Sequence, residues 1–256
     1  MKNFFFAKAI LAGSLMVFMV TPSVTAYQIR IDDDNSYGIY SYDDAGEFTV
    51  RPINDSSKWN PILNTYKLNT TRNVGGTSGT FQTFCMEHDE YIYPQVTYTA
   101  DFNNKAMFGG VYPNGNPPGD PISKGTAYLY HEFQSGTLKV QTAAGGFYAY
   151  DYADTTHGRL TDAGFLQDTI WWLEGEIDDP GNANPFRYGI VNMFTESGAM
   201  ADNNGEYRVS VLNLYDGDEY AQDLLVCDPV PEPATMILLG SGLLGLAGLA
   251  RKRFKK

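Results

Sequence analysis

The stretch "GTFQTFCM", residues 79–86, decides how the chain is read. Successive side chains point to opposite faces of a β-strand. Phe81, Thr83 and Cys85 therefore share one face, and Gln82, Phe84 and Met86 the other. Gly75, Gly76, Ser78 and Gly79 ahead of it form a flexible lead-in. The same alternation recurs in "GEFTVRPI" (46–53). That run follows a turn signal at Asp43, Asp44, Ala45 and Gly46 and predicts a strand leaving a hairpin. "YIYPQVTYTADF" (91–102) is a third aromatic and β-branched run, which Pro94 confines to an edge or a break. "GEYRVSVLNLYD" (205–216) predicts the clearest late strand, and "DLLVCD" (223–228) a last one.

Two segments carry a helical period instead. "SKGTAYLYHEFQSGTL" starts at Ser123 and spaces Ala127, Tyr130 and Phe133 along one face. "LTDAGFLQDTIWWLEGE" (160–176) sets Leu166, Ile170 and Leu173 in a stripe broadened by Phe165 and Trp172, with Thr161 or Asp162 as its expected cap. "YPNGNPPGDP" and "DDPGNANPF" read as loops. The expected fold class is α+β, a mainly antiparallel β-rich domain with a few helices over residues 27–228. An N-terminal signal peptide and a C-terminal transmembrane helix flank it.

Those flanks are read from the two ends. The chain opens with Lys2 and Lys8, an apolar run from Ala9 to Val20, and the small-residue site Val24-Thr25-Ala26. This is the pattern of a secretory signal peptide over residues 1–26, with cleavage after Ala26. Near the other end, Ala234 to Ala250 is uncharged and almost wholly apolar, at the short end of the roughly 17–25 residues that span a bilayer. Arg251, Lys252, Arg253, Lys255 and Lys256 follow as a stop-transfer cluster held in the cytoplasm. Pro231-Glu232-Pro233, the apolar helix and the basic terminus together resemble the PEP-CTERM sorting signal of Gram-negative bacteria. The resemblance covers residues 229–256. It implies an exosortase as partner, and a precursor anchored in the inner membrane through the C-terminal helix. Cleavage near Pro-Glu-Pro would then deliver the body to the cell surface or extracellular matrix. Two prolines favour an extended segment that a peptidase cleft accepts.

Charge narrows the function further. Two lysines belong to the first segment and five basic residues to the tail, which leaves 11 of the 18 Lys and Arg against 30 acids. Residues 27–233 thus carry a net charge of −19, and the whole chain −12. Such a body repels nucleic acid, which excludes DNA or RNA as a partner. No phosphate-binding glycine motif occurs. His88, His131 and His157 are far apart and predict no metal site, and no Gly-x-Ser-x-Gly elbow is present. "IDDDNSYG" (31–38) has its glycine one place too late for a calcium loop and no closing glutamate, so it reads as a solvated acidic turn. No carboxylate pair stands out as catalytic, and no cofactor is implied. Trp171 and Trp172 suit either a sugar or the core.

Cys85 is one of only two cysteines. In an exported chain it invites a disulfide with Cys227. That reading describes a non-covalent structural or carbohydrate-binding matrix protein. The other reading couples "FCME" (84–87) with "LQDTIW" (166–171). Together these resemble the bacterial Cys–Gln thioester domain, with "GTAYLYHEF" similar to its intervening helix, over roughly residues 46–176. The resemblance implies an internal thioester between Cys85 and Gln167. It also implies covalent attachment to an amine-bearing protein or polysaccharide, by a bond used once and so not by an enzyme. Gln167 is expected near a helix start, where backbone N–H groups would stabilise an oxyanion.

Overall fold

Among the described residues seven strands form one antiparallel sheet. The computed structural model describes residues 27–31, 40–42, 45–53, 56–63, 79–107 and 119–227. The strands are β1 (Tyr27–Ile31), β2 (Tyr40–Tyr42), β3 (Ala45–Pro52), β4 (Phe81–Thr83), β5 (Thr97–Asn103), β10 (Val209–Asp216) and β11 (Glu219–Cys227), in the order β11-β10-β5-β1-β3-β2 with β4 also on β3. Two two-stranded sheets accompany it among the described residues: β6 (Lys105–Ala106) with β7 (Asp120–Pro121), and β8 (Lys139–Gln141) with β9 (Phe147–Ala149). The expected hairpin before "GEFTVRPI" is present as β2–β3, and Pro94 falls in a turn just before β5.

The stretch after β4 closes the sheet. Cys85 bridges Leu224 of β11, flanked by Leu225 N–H donating to Phe84 O (3.1 Å) and Met86 N–H donating to Asp223 O (3.0 Å). The path β11-β10-β5-β1-β3-β4 therefore returns to β11 through residues 84–86. All of Phe81 to Met86 are buried, so the alternation separates two covered faces, not core from solvent. Buried polar groups call for partners. Gln82 O accepts from Tyr130 Oη (3.0 Å), and Thr83 Oγ1 donates to Leu225 O (2.6 Å).

Among the described residues five helices pack on this frame: α1 (Ser56–Leu63), α2 (Lys124–Gln134), α3 (Arg159–Glu174), α4 (Pro185–Phe194) and α5 (Glu196–Ala199). α2 starts where the sequence places it: the Ser123 side chain accepts from Thr126 N–H as N-cap. Its Phe133 meets Phe84 edge-on, with ring centroids 5.0 Å apart. On α3, Leu166, Ile170 and Leu173 are buried as expected, and so are both tryptophans. Its cap differs from expectation. Neither Thr161 nor Asp162 caps it; the helix begins at Arg159 after Gly158, with no side-chain cap bond. The preceding loop supplies the acceptors instead. Asp154 Oδ1 takes Arg159 N–H (2.8 Å), and Asp151 Oδ2 takes the N–H groups of Thr155 to Gly158. Asp162 is thereby released for another role.

The expected loop "DDPGNANPF" ends in a helix. Asn184 caps α4 by accepting from Phe186 and Arg187 N–H, and Pro185 takes the first helical position, where its missing N–H costs nothing. Gly189 lets α4 lie against β8, since a Cβ there would sit 2.3 Å from Val140 Cβ. Among the described residues no helix is long and apolar enough to cross a membrane; segments 1–26 and 229–256, with the helix expected over 234–250, lie outside them. Most of the acidic turn at 31–38 lies outside them too.

Candidate functional site

The register of β3 and β4 explains how Cys85 meets Gln167. Phe48 pairs with Thr83 and Val50 with Phe81, so continuing the ladder would set Gly46 opposite Cys85. Gly46 instead pairs with Ser41 of β2, with φ at 91°, a left-handed value that glycine tolerates. The chain leaves the ladder there. Cys85 uses its neighbours' groups to reach β11, so its own N–H and C=O point to the opposite edge. Both would be buried and unpaired. The Gln167 side chain fills the gap. Cys85 N–H donates to Gln167 Oε1 (3.1 Å), and Gln167 Nε2 donates to Cys85 O (2.9 Å). A carboxamide takes the place of a peptide group in the missing strand.

Both residues are fully buried. Gln167 sits in the middle of α3, not near its start, so the free N–H groups of a helix N-terminus are out of its reach. The donor that faces its carbonyl oxygen is Cys85 N–H. Cys85 and Cys227 are both buried and are not joined by a disulfide. Burial pushes the Cys85 thiol well above its ordinary range, and Glu87 adds to the shift.

Behind Cys85 lies an acidic cluster that the sequence offered only as a charged run. Glu87 and Asp223 are each 1% exposed. Asp223 N–H donates to Glu87 Oε2 (3.3 Å), and Gln222 Nε2 donates to Glu87 O (2.5 Å). Asp223 Oδ2 accepts from Met107 N–H (2.6 Å) and Asn213 Nδ2 (2.8 Å). Burial first, then the negative neighbours Asp223 and Glu90, holds the Glu87 carboxyl far above the usual range. Burial also raises Asp223. Burial among negative neighbours thus favours the neutral form of these carboxyls.

His88 stands at the rim. Its ring meets Trp171 edge-on at 4.8 Å, its Nδ1 is 2.9 Å from Asp89 Oδ1, and its N–H donates to Glu176 Oε2 (3.1 Å). His88, three residues after Cys85, thus reaches the turn of α3 that follows Gln167. The position next to Gln167, Asp168, feels two effects: burial raises its carboxyl, and His88 draws it back. Trp172 is stacked by the Arg187 guanidinium (4.9 Å), which leaves it as packing and not as a platform for a sugar.

A second polar cluster, which the sequence did not single out, joins β9 to α3. Asp162, buried, accepts from Tyr148 Oη (2.6 Å) and Asp151 N–H (2.6 Å) and lies 2.9 Å from His157 Nδ1. Tyr148 and His157 stack at 4.4 Å. Its bonds tie the 151–158 loop to the start of α3. The signal for it was the run of Asp and Thr ahead of Gly158, which reads as a turn but not as a distant contact. Among the described residues, no group of three or more His, Cys, Asp or Glu is placed to hold a metal ion.

The remaining sequence-named residues, Pro231, Glu232, Pro233, Arg251, Lys252, Arg253, Lys255 and Lys256, lie outside the described residues. The family comparison falls on the first six of them. The PEP-CTERM protein-sorting motif matches residues 229–253. The chain carries that sorting motif, the mark of an exported protein made as a membrane-anchored precursor and processed by an exosortase. No curated protein and no solved structure matches the chain.

Proposed function

We propose that this protein is a surface or extracellular-matrix attachment protein whose body captures an amine through a Cys85–Gln167 thioester. The single observation that carries the reading is the pair of hydrogen bonds that fix the Gln167 carboxamide against Cys85. Orientation of this kind is worth many kcal/mol in an acyl transfer. The Cys85 sulfur would attack Gln167 Cδ while Cys85 N–H stabilises the charge on Oε1. The Cδ–Sγ bond forms, the Cδ–Nε2 bond breaks, and the thiol proton departs on ammonia. The bond from Nε2 to Cys85 O is lost in the process, and the bond to Oε1 is kept. Burial keeps water from the product. An amine then takes the acyl group and regenerates the thiol, once per molecule.

Methylamine is the simplest probe. Wild-type exported chain should gain one stable methylamide at Gln167, found by peptide mapping after denaturation. Cys85→Ala and Gln167→Ala should each gain none. Labelling of Cys85→Ala at the wild-type level would sink the reading, since an ordinary glutamine side reaction would then explain it.

Sorting has its own test. Pro231→Ala with Glu232→Ala should leave the C-terminal tag on the chain in a host that has an exosortase, as read by blot. Wild-type processing of that double variant would show that Pro-Glu-Pro is not what the peptidase reads.

A further inference from the structure

Beyond the Cys85–Leu224 bridge, residues 86–91 belong to no strand and lie along β11 as a strap. Met86 N–H donates to Asp223 O (3.0 Å), Gln222 Nε2 to Glu87 O (2.5 Å) and Asp223 N–H to Glu87 Oε2 (3.3 Å). Further out, Gln222 N–H reaches Tyr91 O (3.5 Å), and His88 N–H reaches Glu176 Oε2 just beyond α3 (3.1 Å). His88, Asp89 and Tyr91 are exposed, whereas Glu87 is buried. The side chain that anchors the strap on β11 is therefore a buried carboxyl.

That carboxyl accepts from the Asp223 N–H and shares a further hydrogen bond with the carboxyl of Glu90. The titratable groups that act on it or adjoin it are Glu90 and Cys85 on its own segment and Asp223 on β11. Glu176 after α3 holds the next residue, His88, and Asp89 and Asp168 stand with His88 at the rim. From β10, the uncharged Asn213 binds Asp223 and the Lys105 backbone oxygen. An ionised Glu87 would face the carboxyls of Asp223 and Glu90 away from bulk water. Its proton is thus a component of the closed strap.

We propose that residues 86–91 are a proton-locked strap over Cys85, closed while Glu87 holds its proton and opened as that proton passes to water. Closed, Cys85 and Gln167 are fully buried. Opening breaks the Cys85–Leu224 bridge and gives solvent and solutes a way to both. The strap controls access to this pair whether or not a thioester forms. Linkage fixes the direction. Burial, then the negative neighbours, raises the Glu87 carboxyl above that of an exposed glutamate, so the closed strap binds the proton more tightly than the open one. The stability this gives the closed form is complete below the ordinary carboxylate range and is lost as pH rises. Each proton released makes the open form about tenfold more populated per pH unit. Such an opening is local and does not require the rest of the fold to unfold.

The test is amide hydrogen exchange on the full exported chain, purified in detergent, between pH 6 and 8, with rates corrected for the intrinsic pH dependence of exchange. It needs no free thiol and no thioester. Protection of residues 84–91 should fall about tenfold per pH unit. Residues 138–150, where Tyr150 N–H donates to Leu138 O (2.9 Å), serve as the reference and should stay level. Glu87→Gln keeps the shape of the anchor and has no proton to lose, so protection of 84–91 should become independent of pH. Glu174→Gln, which removes a buried carboxyl elsewhere, should leave the wild-type slope at 84–91 intact. If Glu87→Gln fails to fold, as lost protection at 138–150 would reveal, the two segments compared in the wild type and in Glu174→Gln decide the matter. A level wild-type profile at 84–91, an equal fall at 138–150, or a slope that survives in folded Glu87→Gln overturns the strap. So does a slope that disappears in Glu174→Gln.

Discussion

Arg159→Met should lower the unfolding free energy by about 3–5 kcal/mol, measured by urea denaturation, because it strands a buried carboxylate. Arg159 and Glu47 are each 1% exposed. Arg159 Nε donates to Glu47 Oε2 (2.8 Å) and its terminal nitrogen Nη2 to Oε1. The guanidinium also donates to Tyr152 O (3.3 Å) and stacks 4.5 Å above the Tyr40 ring. Tyr150 Oη donates to Glu47 Oε2 (2.8 Å) and would be left as a main support of the charge. This pair ties β3 to the start of α3, the two elements that position Gly46 and Gln167. The loss is therefore one of an unpaired charge more than of a favourable contact. Glu47→Leu added to Arg159→Met should recover most of it. A double variant no more stable than Arg159→Met would show that packing, not the stranded charge, causes the loss.

The second large effect is on pH. The folded protein should be more stable at pH 5 than at pH 8, opposite to what the acid denaturation of paired carboxylates produces. Glu174 is fully enclosed, and burial raises it from 4.5 to about 7 despite the Ser123 N–H that donates to it (3.2 Å). A folded-state pKa above the unfolded one means that the native state binds the proton more tightly. The stability this supplies is complete below about 4.5 and is lost as pH rises through 7. For Glu174 alone that is about 3 kcal/mol. Glu87, Glu90 and Asp223 are raised as well and act in the same direction. Asp151 and Asp179 are lowered, but they lose their contribution only as pH falls below the ordinary carboxylate range. Glu174→Gln should flatten the slope between pH 5 and 8 by that amount and raise the denaturation midpoint at pH 8. An unchanged slope in the variant would mean that Glu174 is not held neutral.

The local signals in this sequence were clear where one element decides its own structure. Ser123 capped its helix, and the alternating runs at 46–53 and 205–216 became β3 and β10. Cys85 and Gln167 were also legible as types of residue in short motifs. Their meeting was not. It depends on Gly46 leaving the β3–β4 ladder and on Cys85 pairing with Leu224, far along the chain. No local pattern encodes a strand gap that a side chain fills. The start of α4 is legible in the loop-like run itself, where Asn184 followed by Pro185 is a cap and a first helical position. The cap of α3 was not legible, because the acceptors are Asp151 and Asp154 in a loop and not the polar residues at 161 and 162. The buried pair of Glu47 and Arg159 was hidden for the same reason as the ring closure. Each partner looks like a surface charge until the topology brings the other to it.

The chemistry at Cys85 is tested most directly by the intact mass of the exported chain, with Cys85→Ala and Gln167→Ala beside it. A Cys85–Gln167 thioester predicts that the wild type falls short of its sequence mass by one ammonia and that neither variant does. A wild type at full sequence mass, or one short by two hydrogens as a Cys85–Cys227 disulfide requires, would contradict it.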